Sequence, residues 1–322
     1  MFDAVGLVIL GLVLLGGGGE ALLRGAVGLA TLLRLTPAVI GLTVVAAGTS
    51  VPELSVSLIA GLRGQPDIAV ANAVGSNLFN IGFILGLCAM VRPLAISGNT
   101  IKLEYPVLAI VTLMCLAVAQ DGSINRVDGV LFVSVYVLFT TYMLTLVRAQ
   151  VNAAEKDRLG AEIAEISGEK PPRLGLSLLL LAGGVALLGL GANATVTGAV
   201  SLARLIGMSE RVIGLTIISV GTSLPEIVTS LVSSIRGRDD IAIANVIGSN
   251  LFNILGILGL SSLVIPLRVN PGIVLSDNWW MLALTLLLFP LMHTGMSIKR
   301  WEGALLLSSY LIYVGLLLAQ PA

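Results

Sequence analysis

Long apolar runs separated by short polar breaks cover nearly the whole chain. A membrane-crossing helix needs about 20 apolar residues, with a range of about 17–25. On that scale the pattern predicts ten spans, roughly 5–33, 37–62, 68–91, 105–119, 127–147, 174–205, 212–235, 241–264, 279–291 and 301–318. The first and sixth are the longest, and their glycine runs, Gly16–Gly19 and Gly183–Gly184, would let them tilt or bend. One sizeable polar segment, 148–173, lies between the fifth and sixth spans. It is expected to form a short surface helix and a linker, and it holds no catalytic pattern. The chain therefore divides into a first half, 1–147, the linker, and a second half, 174–322. The opening MFDAVGLVIL lacks the positive flank of a cleaved signal peptide and is read as the start of the first span.

Composition agrees with this reading. The 322 residues are 56% hydrophobic and 11% charged, with mean hydropathy +1.01, whereas soluble domains are about 25% charged. Too few charges are present to cover a water-facing surface. An all-α polytopic protein embedded in a lipid bilayer is expected. Formal net charge is zero and no long basic run offers a surface to nucleic acid. Cys88 and Cys115 lie in apolar stretches and are read as small core- or lipid-facing residues rather than a disulfide. With the linker placed in the cytoplasm, Lys and Arg in the loops divide about twelve inside to five outside. The positive-inside rule then puts both termini outside a cell or inner membrane.

The strongest feature is a repeat. Residues 40–87 align with 213–260 at a constant offset of 173, without a gap, and about 29 of the 48 pairs are identical. Five predicted spans separate equivalent points. An odd number turns the second copy upside down. Two inverted five-helix halves are thus expected, with broken helices and a binding site at the midplane.

Each copy carries two motifs. GLTVVAAGTSVPELSVSL (41–58) is matched by GLTIISVGTSLPEIVTSL (214–231), and IAVANAVGSNLFNIGFILGL (68–87) by IAIANVIGSNLFNILGILGL (241–260). Pro52 and Pro225 have no N–H, so the carbonyls of Gly48 and Gly221, four residues back, are freed. Those of Ala47, Thr49, Val220 and Thr222 should loosen too. In a bilayer, freed backbone is tolerated where it lines a cavity, and the C-terminal end of a half-helix favours a cation. Thr49, Ser50 and Glu53 share one helix face, as do Ser76, Asn77 and Asn80 on the next helix. All of these groups offer oxygen. Two inverted halves would bring Glu53 and Glu226 into one oxygen-lined cage of the kind hard cations take, with about 6–8 ligands for Ca²⁺. No His or Cys is present there, which argues against Zn²⁺ or copper.

Ordinary packing competes with this interpretation. Gly, Ser, Thr and Asn are common at close helix contacts in membranes, and GSNLFN alone could be packing. The two glutamates resist that account. A central acidic residue costs about 2.5–3.5 kcal/mol on insertion scales, and here two occupy equivalent places after helix breaks, with no basic residue in either span. Glu20 and Arg24, four apart, are expected to pair with each other. Asp67 and Asp240 recur beside Arg63 and Arg236 as helix caps. His293 falls in a predicted loop, and Trp279, Trp280 and Trp301 at span ends are interfacial anchors.

With GTSVPE and GSNLFN both doubled, the sequence resembles the Ca²⁺/cation antiporter superfamily, specifically the prokaryotic sodium/calcium exchangers, over nearly its whole length. The resemblance implies exchange of Na⁺ for Ca²⁺ by alternating access, with the first and sixth helices sliding against a core. It implies Glu53 and Glu226 as the main Ca²⁺ ligands, with the Thr49 and Thr222 carbonyls. Na⁺ would use the same glutamates, the Ala47 and Val220 carbonyls, Ser50, Ser223, Ser76 and Ser249. Asn80 and Asn253 would line the middle. Some relatives carry Asp at the place of Asn253, so this cage has two carboxylates rather than three. Two carboxylates balance one Ca²⁺; at the family's usual three-to-one ratio, exchange would be electrogenic. The transported ions are then Na⁺ and Ca²⁺, with no cofactor and no catalytic residue. One chain encloses the whole site, which leaves a monomer as the expected state.

Three alternatives stay open on the residues. An H⁺/Ca²⁺ or K⁺-dependent antiporter would keep the site and change the coupling ion. A channel would more often build its pore by subunit symmetry. An enzyme would need a nucleophile–base set or catalytic metal, and none is evident.

Overall fold

The computed structural model describes residues 2–33, 37–64, 66–150, 173–205 and 219–319. Most of the predicted linker, the stretch 206–211 after the sixth span and the start of the second GLT motif lie outside the described residues.

The described chain is helical. In order it forms α1 (Phe2–Leu33), α2 (Gly41–Thr49, led in by Pro37–Ile40), α3 (Val51–Leu62), α4 (Pro66–Val91), α5 (Thr100–Asp121), α6 (Arg126–Gln150), α7 (Leu174–Leu205), α8 (Ser219–Thr222), α9 (Leu224–Ile235), α10 (Asp239–Val264), α11 (Ile273–Met296) and α12 (Arg300–Ala319). Among the described residues, 7 helices are long and apolar enough to cross a membrane, or 8 if the bent pair α2–α3 is one span. Ten separate spans are not counted: the break at Pro52 divides the second, the described part of the seventh begins only at Ser219, and α12 is not among the helices that meet both conditions. The offset of 173 recurs in the elements: α3 with α9 and α4 with α10 match end for end.

Four two-residue strands, β1 (Leu94–Ala95), β2 (Ser123–Ile124), β3 (Leu267–Arg268) and β4 (Ser297–Ile298), qualify the all-α expectation. They pair antiparallel as β1–β4 and β2–β3, so each clip joins one half of the chain to the other. Two helices also start earlier than predicted. α5 begins at Thr100 rather than near Tyr105, and α11 at Ile273 rather than near Trp279. Their first turns are π-helical and contain an acid that lowers local hydropathy. The acid is accommodated: Thr100 donates to Glu104 at 3.0 Å, and Tyr313 donates to Asp277 at 3.1 Å.

The glycine runs do not interrupt the two long helices. α1 and α7 are each unbroken over 32 residues, about 48 Å at 1.5 Å per residue, longer than the roughly 30 Å hydrocarbon core. The glycines that matter are spaced by seven. A Cβ on Gly18 would lie 2.9 Å from the Leu188 nitrogen, on Gly25 2.7 Å from that of Leu181, on Gly184 2.6 Å from that of Leu22 and on Gly191 2.9 Å from that of Leu15. Rising numbers on α1 meet falling numbers on α7, so the two helices run antiparallel. Their backbones approach closely because these positions lack side chains, the usual device where lipid removes a hydrophobic drive for helix association.

The remaining helices surround α4 and α10. The 26 residues of α10 are buried throughout their most apolar window. Cys88 and Cys115 are free, and both are 1% exposed in this core. Trp279 and Trp301 are exposed. His293 ends the α-helical part of α11, just before the 3₁₀ turn Thr294–Met296, rather than lying in a loop, and its ring lies 5.5 Å from Phe289.

Candidate functional site

The break predicted from Pro52 is present. α2 and α3 meet at 50°, with Ser50 at φ −86°, ψ 11° between them. Ser223 repeats it at φ −90°, ψ 8° between α8 and α9. Ser50 N–H still reaches the Ala46 carbonyl at 3.1 Å, and Leu54 N–H reaches the Ser50 carbonyl at 3.1 Å. Proline removes the donor to Gly48, and the bonds from the next turn to Ala47 and Thr49 are likewise missing.

The side chains gather across the repeats rather than within them. Ser50 donates to Glu226 Oε1 at 2.7 Å, and Ser223 donates to Glu53 Oε1 at 3.0 Å. Ser223 also lies 3.5 Å from the Ser76 hydroxyl. Asn80 Nδ2 donates to Asn250 Oδ1 at 3.0 Å, and Asn253 Nδ2 to Asn77 Oδ1 at 3.0 Å. The serine–glutamate and asparagine–asparagine bonds each have a counterpart with the two repeats interchanged. Such reciprocity is the mark of a two-fold relation. Ser249 sits beside Glu226, and Thr222 beside Glu53. Thr49 donates to the Ala46 carbonyl at 3.2 Å and lies 3.4 Å from Asn245 Oδ1.

Both glutamates are 1% exposed, and Thr49, Ser50, Ser76, Asn80, Ser223, Ser249 and Asn253 are buried with them. Thr222 and Ala47 are half-buried and the Val220 side chain is partly exposed; for the last two only the carbonyl was expected to matter. Asn80 and Asn253 sit at equivalent places in π-helical turns, Phe79–Leu85 and Phe252–Leu258, a distortion frequent at functional sites.

Hydrogen bonding leaves a residue of oxygen atoms. Glu53 Oε2, Glu226 Oε2, Asn80 Oδ1, Asn253 Oδ1 and Ser249 Oγ are buried without a partner. Buried oxygens are nearly always paired, so five unpaired ones around two carboxylates call for a positively charged or strongly donating occupant. No group of three or more His, Cys, Asp or Glu converges among the described residues. The donor set is hard oxygen, suited to Na⁺, Ca²⁺ or Mg²⁺ rather than softer metals.

Other residues serve the site without having been singled out. Asn72 donates to Ser57 at 3.0 Å and to the Glu53 carbonyl at 3.1 Å; Asn245 donates to Ser230 at 2.9 Å. Asn250 anchors Asn77 and Asn80. All are polar residues identical in both copies, and that intersection of identity with polarity would have found them. Glu20 pairs with Arg24 at 2.8 Å as expected, but also with Arg236 at 3.2 Å. Asp240 accordingly lies with Arg238, at 3.6 Å, instead of Arg236.

Comparison with known proteins settles the family. The family model described as sodium/calcium exchanger protein matches residues 4–145 and 176–319. The chain belongs to the sodium/calcium exchanger family. It is 35% identical to the inner membrane protein YrbG of Escherichia coli (strain K12) over 98% of this chain and 97% of that one. It is 31% identical to the sodium/calcium exchanger MaX1 of Methanosarcina acetivorans over 96% of each. Among solved structures, the sodium-calcium exchanger NCX_Mj, soaked with zero Na⁺ and Ca²⁺, superposes with a TM-score of 0.84 at 31% identity, covering 98% of this chain and 99% of that one.

Proposed function

We propose that this member of the exchanger family is a secondary antiporter that moves Na⁺ against Ca²⁺ by alternating access, with Glu53 and Glu226 as its shared cation ligands. The observation that carries the proposal is the pair of glutamates from opposite repeats. Each has one carboxylate oxygen held by the other repeat's serine and one buried without a partner. Ca²⁺ would take both free carboxylate oxygens, with the Thr49 and Thr222 carbonyls. Na⁺ would use the glutamates with Ser50, Ser223, Ser76, Ser249 and the Ala47 and Val220 carbonyls. Asn80 and Asn253 line the cage between them. Two negative charges match one Ca²⁺, and exchange against three Na⁺ would carry net charge. The role is transport rather than catalysis.

The architecture that supports this role is ten crossings in two inverted five-helix halves, 1–147 and 174–322, joined by a cytoplasmic linker at 148–173. Antiparallel packing of α1 on α7 and the reciprocal strand clips agree with that plan. Both termini then lie outside an inner membrane. Arg92 and Lys299, placed on one side by the charge rule, flank the β1–β4 clip, and Arg126 and Arg268, placed on the other, lie beside and within the β2–β3 clip. The protein works in the lipid bilayer as a monomer.

The experiment is Ca²⁺ uptake by the purified protein in Na⁺-loaded liposomes diluted into Na⁺-free buffer. Uptake should require internal Na⁺, respond to membrane potential, and vanish in Glu53→Gln and in Glu226→Gln. Uptake driven by a proton gradient alone would hand the coupling to H⁺. Uptake indifferent to both gradients would refute exchange.

A further inference from the structure

The two repeats differ below the shared site. On α9 the residues three, four, seven and eight beyond Glu226 are Thr229, Ser230, Ser233 and Ser234, one face of the helix carrying four hydroxyls. The same places on α3 hold Val56, Ser57, Ala60 and Gly61. Ser57 and Ser230 are common to both and have the same job, each accepting an asparagine amide. Thr229, Ser233 and Ser234 belong to the second repeat alone.

These three are 1%, 0% and 0% exposed, and the hydroxyl oxygen of each is buried without a hydrogen-bond partner. Thr140 and Ser261 share this lack singly, but many hydroxyls in the described helices are paired locally. Ser55, Thr112 and Thr285 each donate back to the carbonyl four residues earlier, at 2.9, 2.8 and 2.8 Å. A packing role would be met by that local bond, or by the apolar residues of the first repeat. Three unsatisfied hydroxyls in a row instead leave lone pairs directed at something the chain does not supply. At the upper end stands Glu226, whose Oε2 is also unpaired. At the lower end Arg92 donates to the Ser234 carbonyl at 3.1 Å and lies 4.0 Å from Asp239, which closes the stripe.

We propose that Thr229, Ser233 and Ser234 form a further cation subsite, continuous with Glu226, that takes Na⁺ through neutral hydroxyl oxygens. It lies between the main cage and the Arg236 end of α9, and it has no counterpart in the first repeat. Ca²⁺ is a poor fit beyond Glu226, since the stripe adds no carboxylate. The inference rests on Glu226 being a cation ligand.

The test replaces the three hydroxyls with near-isosteric apolar groups, Thr229→Val, Ser233→Ala and Ser234→Ala together. Two assays on the same liposomes are compared: Na⁺-driven Ca²⁺ uptake titrated with Na⁺, and Ca²⁺–Ca²⁺ self-exchange, which needs no Na⁺. Half-saturating Na⁺ should rise at least about 5-fold more than half-saturating Ca²⁺, the scale of losing one neutral oxygen contact. The hydroxyl-retaining variant, Thr229→Ser with Ser233→Thr, should keep the wild-type Na⁺ dependence. Equal shifts in both assays, or loss of both, would overturn a Na⁺-specific subsite, and an unchanged Na⁺ titration would make the stripe passive. A hydroxyl-retaining variant that behaves like the apolar one would also overturn it. Wild-type protein that self-exchanges Ca²⁺ but ignores Na⁺ would sink the coupling itself, an outcome distinct from failure of the subsite.

Discussion

Ser50 lies three residues before Glu53, on the same face of one broken helix, yet its hydroxyl donates to Glu226 of the other repeat at 2.7 Å. The bond is short, buried at 0% and 1% exposure, and its acceptor is a carboxylate. Bonds of that kind to a charged group contribute about 1.5–3 kcal/mol. Ser50→Ala should therefore weaken Ca²⁺ binding about 10- to 150-fold, since each 1.4 kcal/mol is a factor of ten. The informative measurement is a pair of double-mutant cycles, read by calorimetric Ca²⁺ titration of the purified protein. Glu226→Asp keeps the charge but withdraws the carboxylate by one methylene, beyond reach of Ser50. In that background Ser50→Ala should lose most of its effect, a coupling of at least about 1 kcal/mol. In the Glu53→Asp background the full effect should persist. Stronger coupling of Ser50 to Glu53 than to Glu226 would refute the exchange of partners between repeats. The mirror cycle, Ser223 with Glu53 against Ser223 with Glu226, should give the same answer at 3.0 Å.

Further outcomes follow from packing and charge. Gly184→Ala places a Cβ 2.6 Å from the Leu22 backbone nitrogen and should lower stability in detergent by about 1–3 kcal/mol, seen as a fall in Tm. Gly17→Ala meets nothing within 4 Å and should leave Tm unchanged or raise it. Glu20 joins α1 to the end of α9 through Arg236 at 3.2 Å, whereas the equivalent residue in the second repeat is Asn193, so the matching contact with Arg63 lacks an opposite charge. Glu20→Gln should loosen α1 from α9 by no more than about 1 kcal/mol, because the pair is partly exposed. Val232, which packs under α1 against Leu23 and Val27, reports this: labelling of Val232→Cys by a membrane-impermeant thiol reagent should rise up to about fivefold. Native Cys88 and Cys115 are too buried to interfere, and unchanged labelling would remove the latch.

The sequence by itself determined the parts that depend on local rules. Proline placed the breaks at Ser50 and Ser223, because a missing N–H acts on its own helix whatever lies around it. The fixed offset of 173 made equivalent positions legible, and parity anticipated the antiparallel packing of α1 on α7. Rarity of acids in apolar spans singled out Glu53 and Glu226. Helix starts were less legible where a polar residue is satisfied by a distant partner: Asp277 lowers the hydropathy of α11, and its Tyr313 bond lies 36 residues away. The seven-residue spacing of Gly18 and Gly25, matched by Gly184 and Gly191, was visible in the sequence, but which backbone each glycine admits was not. Only the tertiary structure decided that Ser50 serves Glu226, that Asn253 serves Asn77, and that Glu20 reaches Arg236. Periodicity reports which residues share a face of one helix. It carries no information on which face of another helix docks there, and in this molecule the serine–glutamate and asparagine–asparagine bonds cross from one repeat to the other.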